Sequence, residues 1–240
     1  MSYDLTKFQY GLEKLNIELS EEKLNQFLTF YEMLIEKNKV MNLTAITAFE
    51  EVIEKHFLDS LSLAGSMDLN QKLKVLDLGT GAGFPGIPLK IAFPELEIVL
   101  MDSLNKRVLF LQEVIEKLQL SEITAVHGRA EEMARRPEYR EQFDLCVSRA
   151  VANLSSLSEY CIPFVKEGGR FISYKSGEVE EEAAQAKKAV QILGGKISQI
   201  QKFTLVGTDL SRSFVWIEKK KKTPKDYPRK AGTPSKSPIQ

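Results

Sequence analysis

Over the first sixty-odd residues, apolar positions recur at three- and four-residue spacing, the period of helices with one buried face. The spacing predicts helices over 3–15 and 21–39, the second carrying Leu24, Phe27, Leu28, Tyr31, Leu34 and Ile35 on one stripe. Ser20 is placed to cap that helix, and Glu21 and Glu22 complement its dipole. After a turn-like stretch at 41–46, Thr47 and Glu50 have the spacing of a capping box. A third helix with Phe49, Val52, Ile53, Phe57 and Leu61 inward is expected to follow. Residues 1–66 therefore read as a helical subdomain.

From Leu73 the period changes. Short apolar runs at 74–78, 96–101, 123–126, 143–147 and 170–174 alternate with amphipathic stretches, the signature of a largely parallel α/β sheet. Val108, Leu111, Ile115 and Leu118 form the stripe of a helix that Ser103 could cap, and 178–193 reads as a charged helix. Gly168-Gly169 and Gly194-Gly195 mark turns, and 197–206 with 213–217 reads as a closing hairpin with Trp216 inward and Asp209 and Arg212 in its loop. The expected fold is α/β, a mostly parallel seven-stranded Rossmann-like sheet over 67–218 with helices on both faces.

The chemistry concentrates where the first of these runs ends, at KVLDLGTGAGFPGIPL over 74–89. Gly79, Gly81, Gly83 and Gly86 let the backbone turn tightly and approach a ligand. Two cofactor classes compete for that turn. Gly81, Gly83 and Gly86 spell the dinucleotide fingerprint G-x-G-x-x-G, which seats a pyrophosphate on helix amides. Asp77 at the strand end would repel a pyrophosphate, whereas S-adenosyl-L-methionine carries an ammonium and a sulfonium and no phosphate. Asp102, at the end of the next strand, is placed for ribose hydroxyls in either class. Gly128 to Glu132 follows the third strand and suits either an adenine edge or a helix start with acids in its first turn. The fourth strand ends Ser148-Arg149-Ala150-Val151, which brings Arg149 to the ligand crevice, as an orienting cation paired with an acid or as a structural ion pair. His56 and Asp59, three apart on the third helix, could pair and fix that helix against the glycine turn. An Asn-Pro-Pro-Tyr element, used to methylate exocyclic amines, does not occur in the sequence.

Composition narrows the classes. The chain has 240 residues, 43% of them hydrophobic, which supports one main domain with additions. No apolar run has the length of a membrane span, no signal-peptide layout opens the chain, and a cytoplasmic protein is expected. Cys146 and Cys161 sit in apolar surroundings and read as reduced thiols; with 2 His in all, no protein-bound metal is expected. The balance of 33 basic and 33 acidic residues conceals a segregation. Between 219 and 240 stand Lys219, Lys220, Lys221, Lys222, Lys225, Arg229, Lys230 and Lys236 against the single acid Asp226. With Tyr227 and four prolines among them, these residues read as an extended basic arm able to track phosphates, Lys220, Lys222, Arg229 and Lys230 being the candidate RNA contacts. A merely solubilising tail is the plainer alternative.

Asn42-Leu43-Thr44-Ala45-Ile46, His56-Phe57-Leu58-Asp59-Ser60, the glycine segment with Phe84-Pro85-Gly86, Ser148-Arg149-Ala150 and the terminal 227–234 occur together and in order. In this the chain closely resembles the bacterial rRNA small-subunit methyltransferase G family (GidB, RsmG). The resemblance implies a class I methyltransferase fold and methyl transfer from S-adenosyl-L-methionine to N7 of one guanine, guanine 527, in 16S rRNA of the small ribosomal subunit. It further implies cofactor contacts at Gly79, Phe84, Ala130, Glu131 and Arg149, to which the glycine turn and strand ends add Gly81 and Asp102. Guanine N7 has a free lone pair and no proton, so catalysis by positioning, aided by Arg149 and without a general base, is expected. A monomer acting on rRNA or the assembled subunit, with no membrane partner, completes this reading. Two alternatives are a nicotinamide-dependent oxidoreductase, from the glycine fingerprint and Asp102, and a non-enzymatic rRNA-binding assembly factor, from the basic tail.

Overall fold

The computed structural model describes residues 3–149 and 152–240; the Ala150-Val151 end of the fourth-strand motif lies outside them. Seven strands form one sheet: β1 (Lys74–Leu78), β2 (Glu97–Asp102), β3 (Ile123–His127), β4 (Phe143–Arg149), β5 (Val165–Ser176), β6 (Gly195–Thr204) and β7 (Ser211–Lys219). Their order is β3-β2-β1-β4-β5-β7-β6, and only β7 runs against the rest. The chain winds outward from β1 through β2 to β3, then returns to the other side of β1 for β4 and β5. The carboxyl ends of β1 and β4 therefore flank the switch point at which open α/β sheets bind ligands.

Both faces of the sheet are covered, which is why its central strands are apolar without alternation. Val75, Ile98, Leu100 and Leu145 feed one core; Leu76, Leu78, Val99, Met101 and Cys146, one position out of phase, feed the other. The first core receives α1 (Thr6–Lys14), α2 (Glu21–Met41), α3 (Phe49–Val52), α4 (Asp59–Leu61), α5 (Gly86–Ala92) and α6 (Asn105–Lys117). The second receives α7 (Ala130–Met133), α8 (Leu154–Cys161) and α9 (Glu180–Ile192). Both cysteines are free and buried, and Trp216 is buried on β7.

The N-terminal helices join the sheet through an aromatic relay. Phe8 meets Phe27 at 4.9 Å, Phe27 meets Phe57 at 4.9 Å, Phe30 meets Phe84 at 5.3 Å, and His56 stacks on Phe84 at 4.5 Å. Ser20 caps α2 as its position predicts, accepting from the Lys23 amide at 3.3 Å.

Several local expectations are replaced. The Thr47–Glu50 capping box does not form: Ala48 is the N-cap without a side-chain bond, and the Thr47 carbonyl instead accepts the Tyr31 hydroxyl at 3.0 Å. Packing of Tyr3, Tyr31 and Phe49 sets the helix entry there. From α3 the helix widens into a π-helical turn over Ile53–Leu58 before α4. Ser103 does not cap α6; the Asp102 carboxylate accepts the Leu104 amide at 2.9 Å. Gly168 and Gly169 lie within β5, where Gly168 has φ +82° beside a register shift against β4.

The largest departure is the C-terminal segment. Residues 219–240 do not project as an extended arm but fold back across α8 and α7, and end in α10 (Thr233–Lys236). Lys219 is buried, its ammonium bonded to the Ile162 carbonyl, Thr223 Oγ1 and Glu141. Arg229 closes a fork on Glu159, with Nη2 to Oε2 at 2.7 Å, while its own amide donates to Oε1 at 2.7 Å. Arg135 and Arg140 hold the carbonyls of Pro228 and Tyr227 at 2.6 and 3.0 Å. Charge density at sequence level could not separate cations that find internal partners from cations left in water.

The turn after β1 is close-packed. A Cβ on Gly86 would lie 2.2 Å from Leu100 Cδ2 and 2.8 Å from Asp77 Oδ2. Helix propensity favours alanine over glycine by up to about 1 kcal/mol, but overpacking costs about 1–3 kcal/mol. Gly86→Ala is expected to destabilise the fold despite the better helix former, read as a lower urea midpoint with an unchanged slope.

Candidate active site

Two buried carboxylates shape the glycine turn. Asp77, fully buried at the end of β1, accepts from Thr80 Oγ1 at 2.6 Å and from the Gly86 amide at 2.8 Å, both on Oδ2. Its Oδ1 is buried without a partner among the described residues, and burial pushes the carboxyl up to about 6. Asp102, at the end of β2, accepts the Gly81 amide at 3.0 Å and lies 3.3 Å from Arg107 Nη1. Gly79 and Gly81 take φ of +69° and +62°, conformations that the turn requires and glycine supplies without a steric penalty. Among the described residues nothing lies within 4 Å of where a Gly81 Cβ would stand.

Beside this turn is a cavity of about 300 Å³ at the ends of β1, β2 and β3. Gly79, Met101, Asp102, Ala130 and Glu131 line it, joined by Tyr160 of α8 and by Gly232 and Ser235 of the C-terminal segment. Ala130 and Glu131 begin α7, the helix start with acids in its first turn, and the same two residues wall the cavity. A carboxylate beside a glycine-rich turn, an apolar wall at Met101 and Ala130, and a second carboxylate at Glu131 fit an adenosyl group carrying positive charge. Asp102 would hold the ribose, and the cofactor would supply an electrophilic methyl.

Phe84 and Arg149 lie elsewhere. The Phe84 ring is buried between Phe30 and His56 and faces the Arg149 guanidinium at 5.1 Å. Arg149 Nη1 donates to Asp59 Oδ2 at 2.8 Å and to the Lys55 carbonyl at 3.0 Å. Arg212 Nε takes the other oxygen of Asp59 at 2.7 Å. His56 and Asp59 thus do not pair with each other; the π-helical turn brings both to Arg149. His56, Asp59, Arg149 and Arg212 line a second cavity of about 480 Å³ at the ends of β4 and β5 and the start of β7, with Lys175, Tyr174, Phe203 and Phe214.

In the imidazole of His56, Nε2 lies 2.8 Å from Thr44 Oγ1 and Nδ1 lies 3.2 Å from Arg149 Nη2. A guanidinium can only donate, so Nδ1 facing Arg149 accepts and the proton sits on Nε2 toward Thr44, although Nδ1 also lies 3.1 Å from the Lys55 carbonyl. Thr44 belongs to the Asn-Leu-Thr-Ala-Ile stretch, so that motif's contribution is to seat this histidine. Burial, then the adjacent Arg149 charge, lowers the imidazole from 6.5 to about 4.

A larger depression of about 760 Å³ opens between α1, the start of α2 and the end of α5. There the Lys23 ammonium is already bonded to the Ala92 carbonyl at 2.9 Å, and no comparable set of strand-end carboxylates converges. Among the described residues no group of three metal-ligating side chains occurs, and no helix is long and apolar enough to cross a membrane. The terminal cations divide: Lys220, Lys222 and Lys230 are exposed, whereas Arg229 is committed to Glu159. Sequence reasoning missed Tyr160, Gly232, Ser235 and Lys175 as cavity walls, since each reaches its place through a long-range contact that local spacing does not encode.

Strand order and strand-end cavity define a class I S-adenosylmethionine-dependent methyltransferase. Solved structures of like fold include a SAM dependent methyltransferase from Aquifex aeolicus, 16% identical with TM-score 0.52 over 70% of this chain and 92% of that chain. Another is TYW2 of M. jannaschii in complex with AdoMet, 15% identical with TM-score 0.55 over 73% of this chain and 79% of that one. The particular family follows from sequence, for the profile of rRNA small subunit methyltransferase G (GidB) matches residues 23–212. Ribosomal RNA small subunit methyltransferase G of Lachnoclostridium phytofermentans is 55% identical with 98% of each chain covered, and that of Bacillus pumilus is 48% identical with 99% of each covered. The chain belongs to this family, and its cofactor is S-adenosylmethionine, not a dinucleotide.

The His56 shift has a definite sign. Between about 6.5 and about 4 the unfolded chain binds a proton that the folded chain refuses, so this histidine's contribution to stability is complete above 6.5 and is lost as pH falls. The expected loss is on the order of 3 kcal/mol. In an NMR titration the His56 ring should stay neutral until about pH 4, and His56→Gln should remove that part of the acid sensitivity.

Proposed function

We propose that the chain transfers a methyl group from S-adenosylmethionine to N7 of a guanine in small-subunit rRNA, in the cytoplasm, at the position that the family resemblance implies, guanine 527. The observation that carries this reading is the pair of cavities on either side of the end of β4. One is floored by carboxylates and suits the cationic cofactor; the other presents Arg149, Arg212 and Lys175 between aromatic walls and suits an anionic nucleotide.

A base could stack against the aromatic wall while the guanidinium groups orient its phosphate or carbonyl edge. Asp59 holds both arginines through its two oxygens, which fixes their planes and leaves Arg212 Nη2 beyond that pair. The neutral His56 is bonded at both nitrogens and serves to seat Arg149 and Phe84. That arrangement suits a nucleophile which carries no proton, so that holding the reacting atoms in line is the main contribution of the protein. Gly79, Asp102, Ala130 and Glu131 are assigned to the cofactor, with Gly81 shaping the turn; Arg149 is assigned to positioning, with Phe84 beneath it. We further assign residues 1–66 as the helical subdomain, 67–218 as the methyltransferase domain and 219–240 as its basic C-terminal segment.

Methylated rRNA should cleave at one guanine under chemistry selective for N7-methylguanine; absence of cleavage with methyl incorporated elsewhere overturns the N7 assignment. Arg149→Ala should reduce methyl transfer by about a hundredfold, the order found when a positioned donor is removed. Its fold and cofactor affinity should change little, because Asp59 keeps Arg212. Replacing Lys220, Lys222 and Lys230 together by Gln should lower the log–log salt dependence of RNA binding by up to about 2, since each single-strand phosphate contact contributes about 0.7. Arg229→Gln should instead lower thermal stability, because it leaves Glu159 buried without its partner.

A further inference from the structure

The cofactor cavity is incomplete without the C-terminal segment. Gly232 and Ser235 form part of its wall, and the Gly232 amide donates to Glu131 Oε1 at 2.8 Å across 101 residues of sequence. Gly232 has φ +80° with nothing among the described residues within 4 Å of a built Cβ, so glycine serves the backbone turn there. The segment is fastened on both sides of this contact. Arg229 grips buried Glu159 upstream, and Ser156 Oγ donates to the Pro234 carbonyl at 2.7 Å downstream, where Pro234 is itself buried. Glu131 is 7% exposed, so the bond fixes a carboxylate that has little other freedom to find water.

We infer that residues 231–236 are part of the S-adenosylmethionine site: Gly232 holds Glu131 in the rotamer that walls the cavity, and Ser235 closes the side opposite the glycine turn. The segment read from sequence as an RNA arm is a component of cofactor binding. It acts at the end of the cavity formed by β3 and α7, away from the methyl acceptor's cavity at β4, β5 and β7. S-Adenosylmethionine and S-adenosylhomocysteine, which share the adenosyl group, should therefore depend on it equally.

This inference rests on placing the cofactor in the cavity beside Asp102, so the test separates the two. Calorimetric titration with both compounds is run on the full chain, on a chain ending at Lys230, on Ser235→Trp and on Ala130→Leu. The truncation keeps Lys219 and the Arg229–Glu159 pair, and position 235 is exposed, so the tryptophan variant can fold even if the truncated chain does not. Truncation and Ser235→Trp should each weaken both compounds at least about tenfold, the loss expected when a buried charged group forfeits its hydrogen bond or a wall is displaced. Binding of S-adenosylhomocysteine to the full chain should also slow hydrogen exchange of the Gly232 amide by more than it slows amides remote from the cavity, an excess that general stabilisation of the fold would not give. If Ala130→Leu loses affinity while Ser235→Trp binds as tightly as the full chain and Gly232 exchange is unchanged, the segment is not part of the site. If Ala130→Leu also binds normally, the cofactor lies elsewhere and the inference falls with its placement.

Discussion

The glycine turn after β1 holds its shape because two carboxylates from adjacent strands grip it from beneath. Asp77 ties Thr80 and the first amide of α5, and Asp102 ties the Gly81 amide. A chain of glycines has little conformational preference of its own, so the carboxylates supply the order that the residues lack. Asp77 is held in an environment that raises its carboxyl to about 6, which means the ionised form is maintained against burial by its two donors. Each acid had a different reading at sequence level. Asp77 bonds within the loop, to Thr80 and Gly86, while Asp102 combines holding the loop with lining the cavity.

The same economy governs the other cavity. Arg149 sits at the end of β4, but its orientation comes from Asp59 and the Lys55 carbonyl on the N-terminal helices and from Phe84 on the glycine loop. The aromatic relay from Phe8 to Phe84 fastens those helices to the sheet, so core packing and placement of the guanidinium form one network. A buried cation is unfavourable alone, and pairing with Asp59 offsets that cost. The N-terminal helices are therefore a wall of the second cavity as well as an appendage of the fold.

The strands and long helices were legible because each is decided by local period. Central strands buried on two faces read as continuous apolar runs, and α2 reads as a stripe with Ser20 at its start. The strand-end acids and Arg149 were legible through topology, since parallel strands must deliver their carboxyl ends to one edge. What local period cannot show is which polar group finds a partner far along the chain. Asp59 meets Arg212 across 153 residues and Glu131 meets Gly232 across 101. The capping box failed for a related reason: tertiary bonding of the Thr47 carbonyl by Tyr31 won over a local side-chain cap worth about 1 kcal/mol.

The C-terminal cations show how far charge counting reaches. A run of like charges is ordinarily solvated because burying each one without a partner is prohibitive, and that argument holds for Lys220, Lys222 and Lys230. It fails for Lys219 and Arg229 because their partners, Glu141 and Glu159, come from an acidic body. Burial lowers Lys219 to about 8 while Glu141 opposes the shift, the balance expected of an ammonium held inside by one ion pair and two neutral acceptors. Fixing these two positions pins the ends of the intervening stretch and leaves its lysines facing outward on a rigid path. One segment thereby carries a cationic outer surface and an inner face that meets Glu131. Any RNA drawn to those lysines would be held on the element that also walls the cavity beside Asp102.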